Sequence, residues 1–235
     1  MVAWDSIIKE EALSMSQKYE SVPEKESKPV RVLLESIIAK VQKAGREQNI
    51  GFRFQPHLVG SGKRHLITRI IGGNEGFDFD YNLEVSCNKG EWKPKFVHEL
   101  VFNLLREAIK GTRFNKIEES TSVITIKQVK GDRIIVSCDF SIMYYPDPED
   151  KSYYKYVRFN KKQRNFTWEE RALDTSIDNK IDWLRENING WWDCICDQYR
   201  KVKNNNNDDE KTSFELYAEA VNNIYNHFYY QECED

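Results

Sequence analysis

The sequence predicts an α+β protein: a mixed sheet core with helices, followed by a helical C-terminal segment. Two observations carry this. A stretch of strict two-residue alternation lies at 77–85, and three-to-four-residue apolar spacing recurs before it and, above all, beyond residue 172. The chain has 235 residues, of which 40% are hydrophobic, 13% aromatic and 31% charged. That composition excludes disordered and collagen-like chains and allows one large domain or two small ones. The expected division is 1–171 for the mixed body and 172–235 for the helical segment.

The elements follow in order. Residues 5–18 carry a helical stripe through Ile7, Ile8, Ala12 and Leu13, and 19–28 read as a charged linker. Val30, Leu33, Leu34, Ile37, Ile38 and Val41 define the next helix. Residues 51–60 read as extended and 63–76 as irregular or a short helix, closed by the Gly72-Gly73-Asn74 turn. Pro94 opens a helix that Gly111 ends. Strands are expected at 121–129 and 133–145, around Lys130-Gly131-Asp132, and a hairpin at 152–168. Ile177, Ile181, Leu184, Ile188, Trp191, Ile195, Tyr199 and Val202 form a long helical stripe with Gly190 as a kink. Thr212 and Glu215 form a capping box that opens the last helix.

The formal charge is −3. A weakly acidic chain is a poor general binder of nucleic acid, which requires excess Lys and Arg. The five cysteines show no CxxC zinc spacing and read as free thiols in a reducing cytoplasm. No window has the apolar length of a membrane span, and the first residues lack a signal-peptide pattern, so no membrane partner is expected.

The chemistry concentrates at 77–85. Phe77, Phe79, Tyr81, Leu83 and Val85 alternate with Asp78, Asp80, Asn82 and Glu84. A half-buried strand puts both aspartates on one face, about 6.5–7 Å apart. A one-residue slip would bury the charges, so the register is well specified. Asp139 lies on a later strand between Ser137 and Ser141. Three converging carboxylates repel one another unless divalent cations bind; Mg²⁺ (or Mn²⁺), as two ions, suits oxygen ligands and phosphate substrates. Upstream, Gly60-Ser61-Gly62-Lys63 follows an apparent strand and offers backbone N–H groups and a hydroxyl to a phosphate. It is not a Walker A loop.

Gly60-Ser61, Asp78-Phe79-Asp80 and the lone Asp139 together resemble the signature of the DNA polymerase beta superfamily of nucleotidyltransferases. The order of elements is similar to the branch that holds cyclic GMP-AMP synthase, the oligoadenylate synthases and their bacterial relatives. The resemblance implies a polymerase beta-like fold with a C-terminal helical bundle. It implies that Asp78 and Asp80 bind both metals and that Asp139 completes the site and helps activate the acceptor hydroxyl. Gly60 and Ser61 would hold the triphosphate, with Lys201 or Lys203 and Ser213 as further ligands. The implied reaction is attack of an acceptor hydroxyl on the α-phosphate of a nucleoside triphosphate with release of pyrophosphate, a cyclic or linear oligonucleotide signal being one product class. Sixteen residues, 62–77, separate Ser61 from Asp78, more than the family usually shows.

Other features have plainer readings. The four histidines are scattered and without expected partners, and Glu84 reads as surface. Lys63 and Arg64 either meet phosphate or are solvated. The 151–171 hairpin carries seven basic against two acidic residues, interleaved with aromatics. It is read either as a base-stacking surface for RNA or, in preference, as aromatics facing the core and cations facing water. A non-catalytic nucleotide- or RNA-binding module is the alternative function. The acceptor stays open among a nucleotide, an RNA end, a small molecule and a protein hydroxyl.

Overall fold

The computed structural model of the chain describes residues 18–86, 92–208 and 210–231. The helix expected at 5–18 falls almost wholly outside them. Strand β4 (Phe77–Val85) lies inside the central sheet, and its five apolar side chains are all buried. Around it runs a seven-stranded mixed sheet. Its main path is β2 (Phe54–Val59), β4, β7 (Arg133–Tyr144), β6 (Ile124–Lys130) and β5 (Lys116–Glu119). The β8–β9 hairpin (Tyr153–Asn160, Asn165–Ala172) joins through the end of β7. Among the described residues only β4 and β7 pair in parallel.

Two helices cover one face of this sheet. Helix α1 (Glu24–Glu47) contributes Leu34, Ile37, Ile38 and Val41, and helix α3 (Pro94–Ala108) contributes Val97, Val101, Leu104 and Leu105. All eight side chains are buried with Phe79, Leu83, Ile126, Val136 and Phe140. The opposite face of β4 and β7 is the polar one; α1 and α3 do not cover it, and it carries the carboxylates.

The chain from Ile177 on builds a second apolar cluster from α4 (Asp178–Asn187), α5 (Trp191–Asn205) and α6 (Ser213–Gln231). The long stripe breaks at Gly190, which takes a left-handed φ of 73° as the N-cap of α5. The capping box forms: Thr212 N–H donates to Glu215 Oε2 at 2.7 Å, and Glu215 N–H donates to Thr212 Oγ1 at 3.2 Å. No described helix is long and apolar enough to cross a membrane.

Several expectations are corrected. The supposed linker 19–28 holds strand β1 (Tyr19–Ser21) and the first turn of α1. β1 pairs with β3 (Thr68–Ile70), a strand within the stretch read as irregular. Both are three residues long, too short for a periodic signal. The charges that suggested a linker are paired, since Arg69 binds Glu20 and Glu26 at 2.6 Å each. Strand β5 also escaped notice, and β6 begins at Ile124 because Ser120 to Val123 close a tight turn first. In the 151–171 hairpin, Tyr154, Tyr156 and Val157 are buried and Phe159, Phe166 and Trp168 are half-buried. The aromatics therefore pack inward, as the preferred reading held. Cys138, Cys194 and Cys196 are free thiols.

Candidate active site

The parallel register of β4 on β7 sets the site. Asp80 stands opposite Asp139, and Asp78 opposite Ser137. Adjacent strands lie about 4.8 Å apart, so the Asp80 and Asp139 side chains leave neighbouring positions on one face. Asp78 follows about 6.5–7 Å along β4 on the same face. The three predicted aspartates thus come together from two segments. Thr125, opposite Asp139 on β6, donates its hydroxyl to Asp139 Oδ1 at 2.6 Å.

Burial raises the pKa of all three. Asp80 is pushed up to about 7, first by desolvation and then by the Asp78 and Asp139 charges, with Arg64 opposing. Asp78 is raised by desolvation, Lys203 opposing and Asp139 adding to the shift, even though its side chain reaches solvent. Asp139 is raised by desolvation against the Thr125 bond and Lys127. Crowded acids that resist ionisation are the condition that a divalent cation relieves. As the side chains stand, however, no group of three His, Cys, Asp or Glu among the described residues closes into a metal cluster. The donor chemistry, carboxylate oxygens alone, is the kind that Mg²⁺ or Mn²⁺ takes.

Val59 pairs with Asp80, so β2 delivers Gly60 directly beside that carboxylate. Gly60 has φ +62°, and a Cβ there would lie 2.5 Å from Asp80 Oδ2. Glycine is required on both grounds. The predicted loop is a single helical turn, α2 (Gly60–Lys63), with Gly62 buried against Phe79 and Leu58. The Ser61 hydroxyl makes no hydrogen bond to a described residue. The sixteen residues between Ser61 and Asp78 are taken up by the end of α2, by β3 and by the 71–76 turn.

The wall facing the aspartates comes from the C-terminal helices. Lys203 on α5 donates to Thr68 Oγ1 at 2.7 Å and its charge opposes the rise of the Asp78 pKa; burial lowers its own pKa. Of the two candidate lysines, Lys203 faces the aspartates, whereas Lys201 lines a separate hollow with Asn205 and Lys211. Ser213 lies close enough to Tyr199, the residue one turn before Lys203, to lower the pKa of its hydroxyl against the rise from burial. Lys63 is exposed. Arg64 instead lies over the Tyr217 ring, 4.6 Å from its centroid, and feels the Asp80 charge. No local motif marks Arg64, Lys203 or Thr125, because each reaches the site through tertiary packing.

Two histidine readings change. His57 on β2 binds Glu84 on β4 at 2.7 Å, so neither is a lone surface group. His98 is buried against Phe166, with ring centroids 4.5 Å apart.

No protein-family model matches this sequence, and no curated protein is similar to it in sequence. Solved structures match in shape. CdnC from Escherichia coli MS115-1 with ATP superposes with TM-score 0.52 at 13% identity, covering 88% of this chain and 63% of that one. The CD-NTase CdnG from Bradyrhizobium diazoefficiens, in complex with GTP, gives 0.51 at 11% identity, with 84% and 63% covered. Vibrio cholerae DncV, a cyclic AMP-GMP synthase in complex with the linear intermediate 5′-pppA(3′,5′)pG, gives 0.50 at 16%, with 95% and 57% covered. The chain spans about three fifths of the length of these structures. At these identities the likeness concerns architecture: the chain has the nucleotidyltransferase fold that CdnC, CdnG and DncV share.

Proposed function

We propose that this chain is a metal-dependent nucleotidyltransferase that joins nucleotides into a cyclic or linear oligonucleotide. The observation that carries this is the β4–β7 register, which sets Asp80 beside Asp139 with Asp78 on the same face and Gly60-Ser61 at its edge. Structures of like fold hold ATP, GTP or a linear dinucleotide, which supports nucleoside triphosphates as substrates.

In this reading Ser61, the α2 turn and Lys203 hold the triphosphate, and Asp78, Asp80 and Asp139 hold two Mg²⁺ or Mn²⁺ ions. The ions, when bound, neutralise charge on the attacking and leaving oxygens. The acceptor hydroxyl oxygen forms a bond to the α-phosphorus, the bond to the bridging oxygen of pyrophosphate breaks, and Asp139 accepts the hydroxyl proton. Positioning supplies most of the remaining acceleration. Residues 1–171 form the catalytic body and 172–235 the cleft wall; free thiols fit a reducing cytoplasm.

The test is pyrophosphate release from labelled ATP, CTP, GTP and UTP with Mg²⁺ or Mn²⁺. Turnover is expected, falling at least about 10²–10³-fold in Asp78→Asn/Asp80→Asn. No turnover of any nucleotide, with metal binding unchanged in that double variant, overturns the reading.

A further inference from the structure

We propose that Arg64 is a positioning residue: its stack on Tyr217 ties the Gly60–Lys63 turn to helix α6 and so holds Ser61 in the orientation that receives the triphosphate. The inference rests on the transferase reading above and names what orders its phosphate turn.

The chain from Gly60 to Thr68 serves two cores in succession. Gly62 packs on Phe79 and Leu58 in the sheet core. Leu66 is instead buried in the helical cluster, with Tyr199, Val202 and Tyr217. The Leu66 N–H also donates to Ser61 O at 2.9 Å, which folds the stretch back on the turn. Between these anchors the backbone passes through His65, whose φ of 55° is left-handed and uncommon for a residue with a Cβ. Such a conformation persists where its surroundings over-determine it. Thr68 closes the stretch by accepting from Lys203 on α5. The turn that carries Ser61 is therefore also a fastening between the sheet body and the helical wall.

Arg64 lies in the middle of that fastening. Its guanidinium carbon is 4.6 Å from the Tyr217 ring centroid and 5.7 Å from that of Phe214, both on α6. Tyr217 is buried, and a cation over a desolvated ring is held more strongly than one at an exposed site. Arg64 Nε is itself buried and has no hydrogen-bond partner among the described residues. A buried N–H that neither protein nor water meets is costly and calls for an explanation. The ring contact offsets that cost, so the planar stack fixes this side chain where a hydrogen bond does not. Charge for the triphosphate is present without it: Lys63, its neighbour, is exposed, and Lys203 stands over the aspartates from α5. Loss of the stack frees one end of the turn while Gly62 still holds the other. The effect should fall on donor binding and spare the chemical step.

The experiment reads the affinity of a non-hydrolysable ATP analogue by calorimetry and the kinetics of pyrophosphate release. Arg64→Ala and Tyr217→Leu are each expected to raise the analogue Kd and the donor KM about tenfold, with kcat changed less than about threefold. The double variant is expected to lose no more than either single one, since both break one contact. Tyr217→Phe keeps the ring and should stay within about twofold of wild type. Arg64→Lys keeps the charge without the plane and should recover less than about half of the Arg64→Ala loss. If Tyr217→Leu misfolds in a thermal melt, the two Arg64 variants and Tyr217→Phe still decide the matter. An unchanged analogue Kd in Arg64→Ala, additive losses in the double variant, or full recovery by Arg64→Lys overturns the positioning role. Full recovery would mark a direct charge contact with phosphate. Each of these leaves the transferase reading standing, whereas neither turnover nor analogue binding in the wild-type chain overturns both.

Discussion

The two faces of strand β4 are made by the same nine residues and obey opposite rules. On one face Phe77, Phe79, Tyr81, Leu83 and Val85 are buried under α1 and α3. On the other, Asp78 and Asp80 crowd against Asp139 with their ionisation disfavoured. The first face is stabilised by removal of apolar surface from water. The second is destabilised by partial burial of like charges. The difference teaches that stability and chemistry are separated here by a single residue step, and that the covered face holds the polar one in register.

The largest expected effect breaks the covered face. Phe79 is 1% exposed, so Phe79→Ala is expected to lose about 3–5 kcal/mol in urea denaturation. A loss below about 1 kcal/mol would mean that the face does not set the register. A middle-sized effect of opposite sign belongs to the other face. Asp80 titrates near 3.9 when unfolded and near 7 when folded, so between those values the folded state binds more protons. Its contribution to the stability of the metal-free protein therefore falls as pH rises from about 4 to 7. Relative to wild type, Asp80→Asn should gain stability across that window, reaching on the order of 2 kcal/mol above pH 7. Thermal melts of both proteins across pH 4.5–8, with and without Mg²⁺, read this; Mg²⁺ should shrink the gain, and a flat difference would remove the like-charge argument. The smallest effect lies away from both faces. Thr212→Ala removes the cap of α6 and should cost about 1 kcal/mol in urea, with pyrophosphate release unchanged.

How much was legible follows from the range of each signal. β4 could be read to the residue because its alternation is local and long, and the long helices because their stripes repeat over several turns. The triad was legible as far as Asp139 shares a small polar face with Ser137 and Ser141. Strands β1 and β3 were not legible, since three residues carry no period and their pairing spans some fifty positions. The Gly60 turn was placed correctly but read as a loop; it is one helical turn, too short to leave a periodic signal. The choice of Lys203 over Lys201, the Arg64 stack on Tyr217 and the His57–Glu84 pair are all long-range contacts, which single-sequence spacing does not encode.

The parallel ladder of β4 on β7 also shapes how the molecule assembles. Its partners lie about 60 positions apart, so closing it demands a large entropy loss before any contact returns. During synthesis the first two acids leave the ribosome well ahead of the third. Their mutual repulsion is met only when this late ladder zips, so the folding rate, and not only the final balance, should quicken in mild acid.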